Sequence, residues 1–324
     1  MTDPHSVHTG QRRQNEDWRL FRGDGGQRNV RLPPAPPWRR FDRGAGDVTR
    51  PYLISGKEAD VVSAALYLRR PLLVTGHPGT GKSSLAYAIA REMCLGTVLS
   101  WPVNSRSAVQ DALYQYDAVG RLRESNLARE DSTGRLGIGS YVRLGPLGTS
   151  LLPADRPRVL LVDELDKGDL DLPNDLLTVF EEGEFEIPEL ARLSDDLSAV
   201  SVMTSDVGVR TELVRGRVRC REFPVVVITS NGEREFPPAF LRRCIRLDLP
   251  EPDEDKLRAI ISAHLGDAAT ADLNELMAAF LNRRARGELA TDQLLNAVFL
   301  RMGGVSLDAD GLLDAVLHQL GGTV

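Results

Sequence analysis

Eight residues constrain this chain more than any others: Gly76-His77-Pro78-Gly79-Thr80-Gly81-Lys82-Ser83, followed by Ser84. Glycines at the first, fourth and sixth positions let the backbone wrap tightly, so that several N–H groups converge on one anion. Lys82 carries a charge that reaches the β- and γ-phosphates of a nucleotide, and the Ser83 hydroxyl suits Mg2+. Such a loop needs a buried strand before it and, after it, a helix whose N-terminal dipole faces the anion. Pro71-Leu-Leu-Val-Thr75 precedes it. Residues 82–94 follow, with Leu85, Ile89 and Met93 every four positions and Gly96 as a stop. Residues 76–84 are therefore expected to bind nucleotide, with His77 read as loop filler rather than as a base.

The rest of the chain fits the α/β class this loop demands. Candidate strands cover residues 72–75, 97–103, 158–162, 224–229 and 244–249; Arg158-Val-Leu-Leu-Val162 and Pro224-Val-Val-Val-Ile-Thr229 are continuous apolar runs, as in strands buried on both faces of a parallel sheet. Helical patterns at 58–68, 82–94, 108–116 and 172–182 alternate with them. After Pro250 the strand signal ends. Residues 251–265, 272–284, 291–302 and 308–320 read as amphipathic helices, the first opening at Glu251-Pro252-Asp253. No internal repeat is present.

Val159-Leu-Leu-Val-Asp163-Glu164 supplies the second chemical element. A buried strand ending in two acids puts a carboxylate at the C-terminal edge of the sheet, beside the phosphate loop. Asp163 is expected to hold Mg2+ through water and Glu164 to polarise the attacking water as a general base. Asp166, Asp169 and Asp171 read as a solvated loop or a helix cap. A third strand end, Thr229-Ser230-Asn231, would point the Asn231 amide at the γ-phosphate. Arg242 and Arg243 close a short helix before the last strand; one of them, delivered to a neighbouring subunit's nucleotide, would stabilise transition-state charge. The residues leave open which. A glutamate after the metal-binding aspartate suits water as nucleophile, and no NKxD guanine signature occurs, so ATP is the expected nucleotide. Two alternatives stay open: a nucleotide-dependent scaffold with little turnover, and phosphotransfer to a small molecule.

Charge and cysteine content narrow the setting. The net charge of −6 is the sum of a basic stretch over residues 1–50 (ten Arg, six acids, +4) and a body at −10. That balance argues against nucleic-acid binding by the body. Residues 1–48, rich in Gly and containing Leu32-Pro33-Pro34-Ala35-Pro36-Pro37-Trp38, are expected to be a disordered arm, solvated or docking an acidic partner through Trp38, Arg39 and Arg40. Three cysteines, at 94, 220 and 244, exclude a disulfide scaffold. With a polar N-terminus and no apolar run near 20 residues, a cytoplasmic protein without membrane association is expected.

These motifs together resemble the AAA+ ATPases, and within them the MoxR-like branch, over about residues 50–324. The residues that carry the likeness are 76–83 (Walker A), 159–164 (Walker B), 229–231 (sensor 1), Phe240-Leu-Arg-Arg243, and Tyr141-Val-Arg-Leu-Gly145-Pro146-Leu147. The resemblance implies a five-stranded parallel sheet in order 5-1-4-3-2 over residues 49–250 and a small all-helical lid over 251–324, with nucleotide between them. It further implies a hexameric ring and remodelling of a protein client or a von Willebrand A-type partner. The 81 residues from Lys82 to Asp163 and the 68 from there to Asn231 leave room for a helix-2 insert at about 134–152 and a β-hairpin at 198–221, with strands at 200–203 and 217–220. A lid arginine at the start of helix 291–302 is missing from the pattern. Tyr114 and Tyr116 suit core packing or a pore position.

Overall fold

The computed structural model describes residues 18–40, 52–127, 137–194, 197–270, 273–287, 289–307 and 311–318. They fall into two compact units: one of Ile54–His77 with Gly81–Pro250, the other drawn from the stretches before Ile54 and after Pro250 together with Pro78–Thr80.

Eleven strands occur among the described residues: β1 (Leu72–Thr75), β2 (Leu99–Pro102), β3 (Tyr114–Tyr116), β4 (Val142–Leu144), β5 (Val159–Asp163), β6 (Glu184–Glu186), β7 (Ala199–Met203), β8 (Arg210–Val214), β9 (Arg217–Arg219), β10 (Val225–Ser230) and β11 (Ile245–Asp248). The first unit holds a five-stranded sheet in the order β11-β1-β10-β5-β2, every pair parallel. Counted along the chain, that is the expected order 5-1-4-3-2. The continuous apolar runs are explained by burial: all six residues of β10 and the first four of β5 are buried. Each buried Val or Leu there contributes roughly 1.5–3 kcal/mol.

Local chemistry sets the helix ends. Ser55 opens helix Gly56–Leu68 with a capping box, its hydroxyl accepting the Glu58 amide and its own amide donating to Glu58 Oε2 at 2.6 Å. Helix Lys82–Glu92 follows Gly81 in the left-handed region at φ +87. It stops before Met93, which is 39% exposed, so the inward stripe is Leu85, Ala86, Ile89 and Ala90 rather than one extending to Met93. Gly183, at φ +62, ends helix Leu172–Glu182.

A second sheet departs from expectation. It has six strands, ordered β3-β4-β7-β8-β9-β6. The pattern at 108–116 predicts one helix, yet only Val109–Leu113 is helical; Tyr114–Tyr116 pairs antiparallel with β4. Tyr114 is buried, stacks on Phe185 and donates to Glu189 at 2.9 Å, so of its two expected roles it takes the core one. The hairpin over 198–221 forms, but β7 pairs with Arg210–Val214, while Arg217–Arg219 pairs chiefly with β6.

In the second unit, Asp253 caps helix Glu254–Leu265 by accepting the Lys256 amide at 2.8 Å. Helices Asn274–Arg284 and Thr291–Met302 complete an apolar cluster that buries Leu257, Ile261, Phe280, Leu294 and Val298. Trp38 joins it. Its indole N–H donates to Asn296 Oδ1 at 3.1 Å, and its ring meets Phe299 edge-on with centroids 5.8 Å apart. Trp38 is thus anchored inside the chain instead of standing in a free arm. Residues 1–17 and 41–48 of that arm lie outside the described residues. No helix among the described residues is long and apolar enough to cross a membrane.

Candidate functional site

Parallel pairing brings three strand ends to one edge. Val74 lies opposite Thr229, and Ile228 opposite Val162, so the chain leaves β1, β10 and β5 side by side on the same side of the sheet. The glycine-rich loop 76–81 leaves β1, Asp163 ends β5 with Glu164 next to it, and Ser230 ends β10 with Asn231 next to it.

In the loop, Gly76, Gly79 and Gly81 all have positive φ, at +146, +77 and +87, conformations that side-chain-bearing residues rarely adopt. Lys82 is buried and donates from Nζ to the carbonyls of Gly76 at 2.7 Å and His77 at 2.9 Å. The lysine therefore folds back along its own loop. Burial pushes its pKa down from the ordinary value, against the opposing charges of Asp166, Glu164 and Asp163. His77 contributes its backbone carbonyl to this arrangement, while Ser84 is exposed on the first turn of the helix.

Ser83 Oγ donates to Asp163 Oδ1 at 2.6 Å. Thr229 Oγ1 donates to the same oxygen at 2.7 Å and accepts the backbone amide of Glu164 at 2.8 Å. Asn231 Nδ2 lies 3.5 Å from Glu164 Oε1, and Lys167 Nζ donates to Glu164 Oε2 at 2.8 Å. Beside Glu164 the Lys167 pKa is held above its usual value. Glu164 itself sits in the left-handed region at φ +59, which is uncommon for a residue with a side chain.

Asp166 corrects its reading as a solvated loop residue. The single turn Leu165–Lys167 carries it inward, where it is 3% exposed and its Oδ2 accepts the amides of Asn231 at 2.9 Å and Glu233 at 3.1 Å. Its Oδ1 has no hydrogen-bond partner among the described residues.

The two arginines separate. Phe240, fully buried and 5.4 Å from Phe236 ring to ring, anchors the turn Pro238–Leu241 that carries both. Arg243 pairs with Glu181 and donates to the Ala239 carbonyl. Arg242 is exposed, and its guanidinium has no ion-pair partner among the described residues.

Among the described residues no three His, Cys, Asp or Glu side chains converge to hold a metal by themselves. The oxygen pair Ser83–Asp163 nonetheless fits Mg2+, a hard cation bound by few protein oxygens and completed by phosphate and water.

The family model of the AAA domain, dynein-related subfamily, matches residues 71–244, more than half of the chain. No curated protein matches the sequence. Similar solved structures include NtrX from Brucella abortus in complex with ATP, 15% identical with a TM-score of 0.44, covering 83% of this chain and 57% of that one. The same protein in complex with ADP is 13% identical with a TM-score of 0.42, covering 84% and 56%. The chain thus spans less than two thirds of the length of these structures.

Proposed function

Because the chain belongs to the dynein-related subfamily of AAA domains, we propose that it is a Mg2+-dependent ATPase whose hydrolysis remodels a protein partner. The observation that carries the reading is the meeting of Ser83, Asp163, Glu164 and Asn231 within hydrogen-bonding reach at one sheet edge.

Each residue has a task there. Loop amides and Lys82 neutralise phosphate charge, Lys82 exchanging its two carbonyl partners for phosphate oxygens. Ser83 and Asp163 would hold Mg2+, which when bound neutralises charge on the β- and γ-phosphate oxygens. Glu164 accepts a proton from the water whose oxygen attacks the γ-phosphorus, and the bond to the bridging oxygen breaks. Asn231 orients that water with Glu164. Of the two arginines, Arg242 is the better trans-acting finger, since Arg243 is already engaged by Glu181. That assignment presumes a ring, read here as a hexamer. A MoxR-like identity, with a von Willebrand A-type partner, rests on the motif order and spacing, and a cytoplasmic setting on the low cysteine content.

The test is Glu164→Gln, which keeps the side chain's shape and removes its basicity. It should bind ATP with unchanged affinity and lose turnover; undiminished hydrolysis sinks the reading. A second reading, a nucleotide-dependent switch with little turnover, is favoured by one observation: both Glu164 oxygens are occupied, by Lys167 and Asn231. Steady-state hydrolysis with and without a captured partner separates the two.

A further inference from the structure

We propose that Thr229 is the positioning residue for Glu164, its hydroxyl holding the glutamate's backbone in the conformation that presents the carboxylate. The inference rests on the reading of Glu164 as the base that activates water.

Glu164 needs such a hold. Its backbone, at φ 59 and ψ 51, occupies the left-handed region, which is disfavoured for a residue with a Cβ. A conformation of that kind persists only where surrounding groups over-determine it. The group that does so is on a different strand. Thr229 Oγ1 accepts the Glu164 amide at 2.8 Å, and its own proton goes to Asp163 Oδ1 at 2.7 Å. One oxygen therefore uses its acceptor and donor capacity at once and ties the two acids to each other through β10.

The hold is rigid for three reasons. Thr229 is fully buried, so water does not compete for either bond. Its branched Cβ restricts rotation about χ1. Its strand is paired on both sides, with Val74 opposite Thr229 in β1 and Val162 opposite Ile228 in β5. Asp163 Oδ1 also accepts Ser83 Oγ at 2.6 Å, so the chain of bonds runs from the phosphate loop through Asp163 and Thr229 to the backbone of Glu164. Without the hydroxyl, Asp163 keeps Ser83, but the Glu164 amide loses its partner and the peptide is released toward the right-handed region. The carboxylate then moves off the Asn231 amide. The phosphate contacts of the loop and Lys82 stay in place, because Thr229 reaches the loop only through Asp163, which Ser83 still holds.

The experiment compares Thr229→Val, which keeps the shape and removes the hydroxyl, with Thr229→Ser, which keeps the hydroxyl. Both are made in the full chain beside Glu164→Gln, and kcat and ATP affinity are measured separately. The valine variant should lose roughly 10- to 100-fold in kcat, the size seen when a supporting hydrogen bond is cut, with ATP affinity within about threefold, and the serine variant should recover most of the rate. Wild-type kcat in Thr229→Val with a dead Glu164→Gln overturns this proposal alone. Equal losses in valine and serine show a packing role, and lost ATP affinity in valine shows that the hydroxyl serves Asp163 instead; either result overturns the proposal. Full hydrolysis by Glu164→Gln removes the base itself and the proposal with it.

Discussion

The Oδ2 of Asp166 accepts the backbone amide of Asn231 at 2.9 Å, so the residue three places after Asp163 fixes the turn that carries Asn231. The same oxygen takes the Glu233 amide. Asp166→Ala strands both donors, at a cost of about 1–3 kcal/mol, and should lower the melting temperature and cut ATP hydrolysis by about tenfold or more. Asp166→Asn keeps an oxygen able to accept both and should retain more of each. Unaltered hydrolysis in the alanine variant would show that the turn holds itself.

Arg242 and Arg243 should respond differently to removal. If Arg242 reaches a neighbouring subunit's nucleotide, Arg242→Ala should reduce hydrolysis about 10³-fold or more while leaving ATP binding in place. Arg243→Ala breaks a half-exposed pair with Glu181, an interaction of about 1 kcal/mol or less, and should lower activity far less. Single-turnover and binding assays on the two variants decide the matter, and the opposite ranking would exchange their roles.

Burial pushes the Cys244 thiol up to about 12, whereas Cys94 is exposed. The thiolate is the reactive form, so a raised pKa leaves Cys244 protonated through pH 9 and above. Alkylation at pH 8 should modify Cys94 within minutes and spare Cys244 until denaturant is added. The sign for stability follows: Cys244 favours the folded state below its unfolded value near 9, and that contribution fades as pH rises toward 12. Mass spectrometry of the labelled peptides checks the order, and rapid modification of Cys244 in the native protein contradicts it.

The main sheet was legible because buried parallel strands write themselves as unbroken apolar runs, and 225–228 and 159–162 do so. The loop and the acid pair were legible for a related reason, since their chemistry demands contiguous residues. The second sheet was not. Its strands are three to five residues long, and Arg210–Val214 buries only Leu213, too little alternation to distinguish it from a turn. Asp166 gave no signal either: in sequence it is one of four aspartates within nine residues, and only the single turn after Glu164 distinguishes it from its solvated neighbours. Trp38 departs from what its surroundings suggest. Proline-rich, basic flanks suggested an open arm, while the indole found an apolar seat and an amide partner more than 250 residues away.

Strand β10 also limits how the length of this chain can change. Side chains alternate faces along a strand, so inserting or deleting a single residue between Val225 and Ile228 would carry Thr229 to the opposite face of the sheet and Asn231 with it. Both neighbouring strands are paired in register with β10, so such a change puts the aligned ends of the three strands out of step. Length changes are therefore better absorbed in the hairpin that precedes β10 than inside it. The interior of β10 acts as a gauge block for the edge at which Ser83, Asp163, Glu164 and Asn231 meet.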